Sequence, residues 1–235
     1  MACVPRPSRH LPAPELRLVL AVSLDGRLAP AQGGAAQLGG PGDRRVLEQA
    51  LGWADGCLIG ARTLRVHGTT CLIHAADLLE QRRCSELPDQ PVAVVVSRTG
   101  DLDPALPFFR QPLQRWLLSP GGTADAAPAA GFDRRLTLQH WPQALETLAA
   151  AGLRRLVLLG GAELVGQLLQ EQLVDELQLT FCPQLLGGAH SWLPAALTLE
   201  PNRWTLREQR ALGGDELLLR YRRLREPARA PAPPP

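Results

Sequence analysis

The chain has no lysine. Every one of its 25 strongly basic residues is arginine. Schiff-base chemistry on a lysine is therefore excluded, and any phosphate must be held by arginine forks or backbone N–H groups. Charge of one sign is also lacking: 23 acids set against those bases leave a net charge of +2, with both signs interspersed. A nucleic-acid-binding surface needs a basic face, so no nucleic-acid partner is expected. The five cysteines (Cys3, Cys57, Cys71, Cys84, Cys182) are odd in number and form no C-x-x-C pair. This argues against a disulfide framework or a metal site and suits a reduced, cytoplasmic protein. The N-terminus has no apolar core of a signal peptide, and no apolar run approaches the roughly 20 residues that span a bilayer. A G-x-G-x-x-G fingerprint and internal repeats are absent as well.

What is present is enough apolar material, 45% of 235 residues, for one substantial core. Residues 1–14 and 225–235 are rich in proline, alanine and arginine and read as disordered tails around a single domain over 15–224. Leu16 to Val22 is a continuous apolar strand broken at Asp25-Gly26, followed by a glycine-rich loop and a helix over Asp43 to Leu51. DGCLIGARTLR reads as a strand turning at Gly60 into a short helix. Residues 66–90 read as irregular. PVAVVVSR is a buried strand ending at Ser97, RWLLS (115–119) another, and Trp141 to Ala151 a helix. RWTLREQ and ELLLRYR alternate and form a terminal antiparallel pair. Buried strands early and alternating strands late predict a mixed, mainly parallel sheet flanked by helices.

The most informative stretch is Arg155 to Gly188. Val157, Leu158 and Leu159 do not alternate, as in a strand buried on both faces, and the strand ends on Gly160-Gly161. A helix follows at once, with Leu164, Val165, Leu168 and Leu169 at helical spacing. Paired glycines at such a junction let a ligand approach the backbone, and a helix start offers free N–H groups to an anion. A tight turn with no ligand is the competing reading. Leu177, Leu179 and Phe181 then alternate with Glu176, Gln178 and Thr180, giving a strand with one apolar face.

Ser23-Leu24-Asp25-Gly26, Gly60-Ala61-Arg62-Thr63, Ser97-Arg98 and Gly160-Gly161-Ala162-Glu163 all leave strands, where open α/β sheets bind ligands. Alone, Thr63 and Ser97 read as cap or turn residues and Asp25-Gly26 as a turn. Together the four exits point to a dinucleotide site.

In order, SLDGR, PGDRR, IGARTLR, VVVSR, LLGGAELVGQLL and LVDELQLTFCPQLLGG resemble the pyrimidine reductase domain of riboflavin biosynthesis over residues 16–222. The resemblance implies a dihydrofolate-reductase-like three-layer α/β/α fold, with a central mixed, mainly parallel sheet and an antiparallel C-terminal hairpin. It also implies NADPH as cofactor, a small heterocyclic substrate and a homodimer. Its cofactor contacts fall on Ala21, Thr63, Ser97 and the run from Gly161 through Ala162, Glu163, Leu164 and Val165 to Gln167. Gly160 completes the glycine pair, and Arg62 or Arg98 is placed to meet the 2′-phosphate.

The family's substrate contacts (a Lys, an Asp, two Arg and a Glu) fall here on Val19, His67, His74, Leu51 and Leu159. Each charge-assisted bond so removed is worth about 1.5–3 kcal/mol. The expected pocket, comprising Asp25, His67, His74 and Leu159, is thus altered, and no catalytic residue is assigned. His67 and His74 could act as acid or base, or be solvated loop residues. The five tryptophans read as core or interface. The H-x-E and P-C-x-x-C signature of a zinc deaminase is absent. Three functions remain open: the riboflavin-pathway reduction, reduction of a changed substrate, or a non-catalytic NADP-binding or interaction role.

Overall fold

The computed structural model describes residues 13–34, 36–120, 130–201 and 203–224. The expected tails lie outside them, except for Ala13 and Pro14, as does the segment 121–129. The elements are β1 (Glu15–Ser23), α1 (Pro41–Trp53), β2 (Gly56–Gly60), α2 (Ala61–His67), α3 (Ala76–Cys84), β3 (Val92–Val96), β4 (Arg115–Ser119), β5 (Arg134–Thr137), α4 (Trp141–Ala150), β6 (Arg155–Leu158), α5 (Ala162–Gln170), β7 (Glu176–Cys182), β8 (Trp204–Gly213) and β9 (Glu216–Arg223). The strands form one sheet in the order β5-β4-β3-β2-β6-β1-β7-β9-β8. The strands from β5 to β7 are parallel; β9 runs antiparallel to β7, and β8 antiparallel to β9.

The continuous apolar strands are buried because helices cover both faces. Leu16, Leu18, Leu20 and Val22 of β1 share a cluster with Leu145 and Leu148 of α4 and Leu164, Val165 and Leu168 of α5. Val19, Ile59, Val95 and Val157 point the other way, into a cluster with Leu51, Leu64 and Leu78 of α1, α2 and α3. This is the three-layer α/β/α arrangement that the resemblance implies. The hairpin turns through Gly214 (φ 60°) and Asp215 (φ 62°) between the paired Gly213 and Glu216. Two consecutive left-handed residues make the tight turn whose twist matches that of the flanking strands.

Two elements depart from expectation. Residues 76–84, read as irregular, are α3, whose buried residues are Leu78 and Arg82. A helix that buries one leucine and one arginine has no apolar stripe to recognise. Arg82 is buried because its guanidinium donates to the carbonyls of Leu51 (3.1 Å), Gly52 (3.1 Å) and Ala54 (2.7 Å) at the end of α1. It thereby satisfies acceptors the helix terminus leaves open. The second, β5 (RRLT), is a short edge strand in which Leu136 alone is buried. In addition, α1 begins at Pro41, two residues before the expected Asp43, and ends at Trp53.

Candidate active site

The exits of β1, β2, β3 and β6 lie side by side in the parallel part of the sheet and open into a cleft of about 2100 Å³. Its lining includes Ala21, Arg62, Thr63, Ser97, Arg98 and the run Leu159 to Leu164. Residues of three of the four exits singled out in the sequence meet there, while Ser23 to Gly26 after β1 do not line the cleft. Val165 does not reach the cleft; it is fully buried in the core.

At its centre the glycine pair is required by geometry. Gly160 and Gly161 have φ of 93° and 50°. A Cβ on Gly161 would stand 2.9 Å from the Thr63 hydroxyl, and one on Gly160 3.0 Å from Leu20. The Gly60 N–H reaches the Gly160 carbonyl at 3.4 Å, binding the β2 and β6 exits together. α5 starts directly after Gly161 with no side chain capping it, which leaves its first N–H groups for another acceptor. A cradle that a Cβ would fill, under an uncapped helix start, fits a phosphate or pyrophosphate.

Two arginines flank the cradle in different states. Arg62 lies 3.7 Å from Glu163, both 83% exposed. Arg98 is exposed and forms no ion pair among the described residues. Ser97 is buried, and its hydroxyl accepts the Gly100 N–H at 3.0 Å, fixing the turn that carries Arg98.

Val19, Leu38, Leu47, Ile59 and Leu159 also line the cleft. His67 and His74 line it too and are exposed. The His74 backbone N–H is held by Glu48 at 2.8 Å. Leu51 is fully buried under the sheet and away from the cleft.

Asp25 is not brought to the cleft. Its carboxylate accepts the Ser23 hydroxyl (2.5 Å) and the N–H groups of Leu186 (3.1 Å) and Gly187 (2.8 Å). These bonds, the Ser23 one first, hold its pKa down to about 2. The pinned turn presses Gly188 against Ala31, where a Cβ would come within 2.6 Å of the Ala31 Cα. Leu28 donates to the His190 carbonyl at 2.8 Å, and Arg27 bridges Ser191. The QLLGG motif therefore builds a wall by bracing the 28–34 loop.

Several lining residues were not singled out in the sequence. His140 and His190 join His67 and His74, so every described histidine lines the cleft. Trp141, read as core or interface, lines it too and donates to Gln167 of the expected cofactor run at 3.3 Å. Cys71 also lines it, but burial pushes its thiol up, which keeps it protonated and unreactive at neutral pH. Asp43, at the start of α1, is the most consequential. Burial raises its carboxyl pKa, against the Thr180 hydroxyl that bonds to it and despite Arg44 nearby, while Glu216 pushes in the same direction as burial. The glycines of GGPGD before a helix start were the available signal.

Geometry and fold thus define an α/β protein with a glycine-lined cradle at the exits of its parallel strands. The RibD C-terminal domain family model matches residues 14–218. The chain belongs to that family and is a reductase resembling those of riboflavin biosynthesis. It is 26% identical over 182 residues to the 2,5-diamino-6-ribosylamino-4(3H)-pyrimidinone 5′-phosphate reductase of Archaeoglobus fulgidus, covering 73% of this chain and 81% of that one. It is 27% identical over 227 residues to the riboflavin biosynthesis protein RibD of Haemophilus influenzae, covering 88% of this chain and 58% of the relative. Among solved structures, a pyrimidine reductase-like protein from Corynebacterium diphtheriae superposes with a TM-score of 0.74 at 20% identity, covering 91% of this chain and 93% of that one.

Proposed function

We propose that this chain is an NADPH-dependent reductase of a small nitrogen heterocycle of the pyrimidine class that its relatives reduce. The single observation that carries the reading is the Gly160-Gly161 cradle facing Thr63 under the uncapped start of α5. The pyrophosphate would lie on the N–H groups of Ala162, Glu163 and Leu164. Arg98, unpaired among the described residues, would meet the 2′-phosphate, with Arg62 second because it already has Glu163 beside it. Bound there, NADPH supplies a hydride. The chain's own part is positioning: Ala21 offers only a methyl and Gly160 no side chain to hold the nicotinamide away, and Val19, Ile59 and Leu159 would give the heterocycle apolar surface.

The same reading includes a homodimer in a reducing, cytoplasmic setting. Leu206 and Leu217 on the terminal hairpin are 43% and 42% exposed, a patch that a second copy would cover. The described cysteines, Cys57, Cys71, Cys84 and Cys182, are all free. No helix among the described residues is long and apolar enough to cross a membrane.

Titration with NADPH, followed by its fluorescence, tests the cofactor. Saturable binding is expected, and none at millimolar cofactor would overturn the reading. Binding without turnover of any pyrimidine substrate would favour a non-catalytic role. Sedimentation showing only a particle of the chain's 25.4 kDa would exclude the dimer.

A further inference from the structure

Three carboxylates line the cleft among the described residues: Glu163 and Glu171 on or just after α5, and Asp43 on the α1 side. Asp43 reaches β7, the strand beside β1. Thr180, whose hydroxyl it bonds, is the register partner of Ala21 on the neighbouring strand. Val19, Leu47 and Ile59 line the same cleft. The Asp43 backbone is fixed by a 3.2 Å bond to Glu216. Its side chain lies where a Cβ on Gly39 would be 2.0 Å from Oδ2, so the residue at 39 must have no side chain for the carboxylate to keep this place. No arginine forms an ion pair with it among the described residues. Bonded to the Thr180 hydroxyl, the carboxylate keeps acceptor capacity for donors from whatever enters.

We propose that Asp43 is the specificity-determining residue of the substrate pocket, accepting paired donors from the edge of a 2-amino-4(3H)-pyrimidinone, its ring N–H and exocyclic amino group. The inference rests on the reductase reading above and deepens it. A 2-amino-pyrimidinone presents two adjacent donors that match a carboxylate's two oxygens. A uracil presents one N–H flanked by two carbonyl oxygens, so a lone pair faces the carboxylate. A pocket that leaves such a group unpaired rejects the mismatched ring strongly. The relatives divide along this line: the archaeal reductases are named for a 2,5-diamino-pyrimidinone, and a solved bifunctional enzyme from Thermotoga maritima for an aminouracil. Asp43 places this chain with the first group, reducing the ring while the 2-amino group is still present.

The minimal probes are isocytosine, which is 2-amino-4(3H)-pyrimidinone itself, and uracil, each titrated calorimetrically into the NADP⁺-loaded full chain. Isocytosine is expected to bind at least about tenfold more tightly, the effect of one charge-assisted contact. Asp43→Asn, which offers one donor and one acceptor, is expected to erase or reverse that preference while leaving NADPH affinity and the circular dichroism spectrum unchanged. Gly39→Ala, which displaces the carboxylate without removing it, should weaken isocytosine alone. Kinetics with the two phosphoribosylamino substrates should show the same order in kcat/KM. Equal affinities in the native chain, no detectable isocytosine binding, or a preference that survives Asp43→Asn would overturn the inference and leave the reductase reading intact. Failure of the native chain to bind NADPH would instead sink both.

Discussion

Glu216 and Asp43 are separated by 173 residues, yet the Glu216 carboxylate accepts the Asp43 backbone N–H at 3.2 Å. Its other oxygen accepts the Gly40 N–H. No side chain of its own sequence caps α1; a residue of the terminal hairpin does so from across the sheet. Because Glu216 is buried, its removal leaves two N–H groups without a partner. Glu216→Ala should cost about 1–3 kcal/mol, read as a lower urea midpoint with an unchanged slope. It should also weaken any ligand that depends on the placement of Asp43.

Gly161→Val should abolish NADPH binding. The new side chain would start 2.9 Å from the Thr63 hydroxyl, on a backbone at φ 50°, a conformation costing a β-branched residue about 1–3 kcal/mol. The fold should survive at a lower Tm. Fluorescence titration checks the first effect and a thermal melt the second; wild-type affinity in this variant would contradict the cradle.

The two arginines at the cofactor end should separate by cofactor. Arg98→Ala is expected to weaken NADPH about tenfold and leave NADH unchanged, since only the former carries the phosphate that a free guanidinium would hold. Arg62→Ala should change either by less than about threefold, because exposed pairs of its kind contribute little. Parallel titrations of both cofactors decide this.

Asp25 should tie the stability of the cleft wall to acid pH. Its pKa is held at about 2, below the ordinary 3.8. A depressed carboxyl contributes stability that is fully present above the ordinary value and is lost as pH falls toward the lower one. Asp25→Asn should therefore flatten the loss of stability between these values and lower the Tm at neutral pH. Thermal melts across that range test it; an unchanged acid profile would remove Asp25 from the account.

Elements that bury an apolar stripe or run were legible in the sequence. β1, β3 and β6 are dominated by leucine and valine, and α4 and α5 show helical spacing; each lies close to where that pattern places it. α3 was not, because what it contributes is a buried arginine rather than a stripe. β5 was not, because an edge strand with one inward leucine leaves no pattern. In the site, the strand exits could be read only together, because glycine, threonine and serine at any one junction also serve as caps and turns. Asp43 could not, since its environment is assembled from Thr180 and Glu216, far along the chain. Asp25 shows the reverse: a residue placed by motif in the pocket turns out to brace the wall behind it.

β1 lies between β6 and β7, with Glu15 in register with Arg155 and Arg17 with Glu176. β1 thus waits for neighbours made about 140 residues later, roughly 7–28 s at ordinary synthesis rates. During that interval Leu16, Leu18, Leu20 and Val22 have no strand to pair with on either side. The cleft, which takes lining from both β1 and β6, forms only after residue 158 has been made. Ribosome-bound chains ending before residue 155 should accordingly be captured by chaperones, and those extending past β9 should be released.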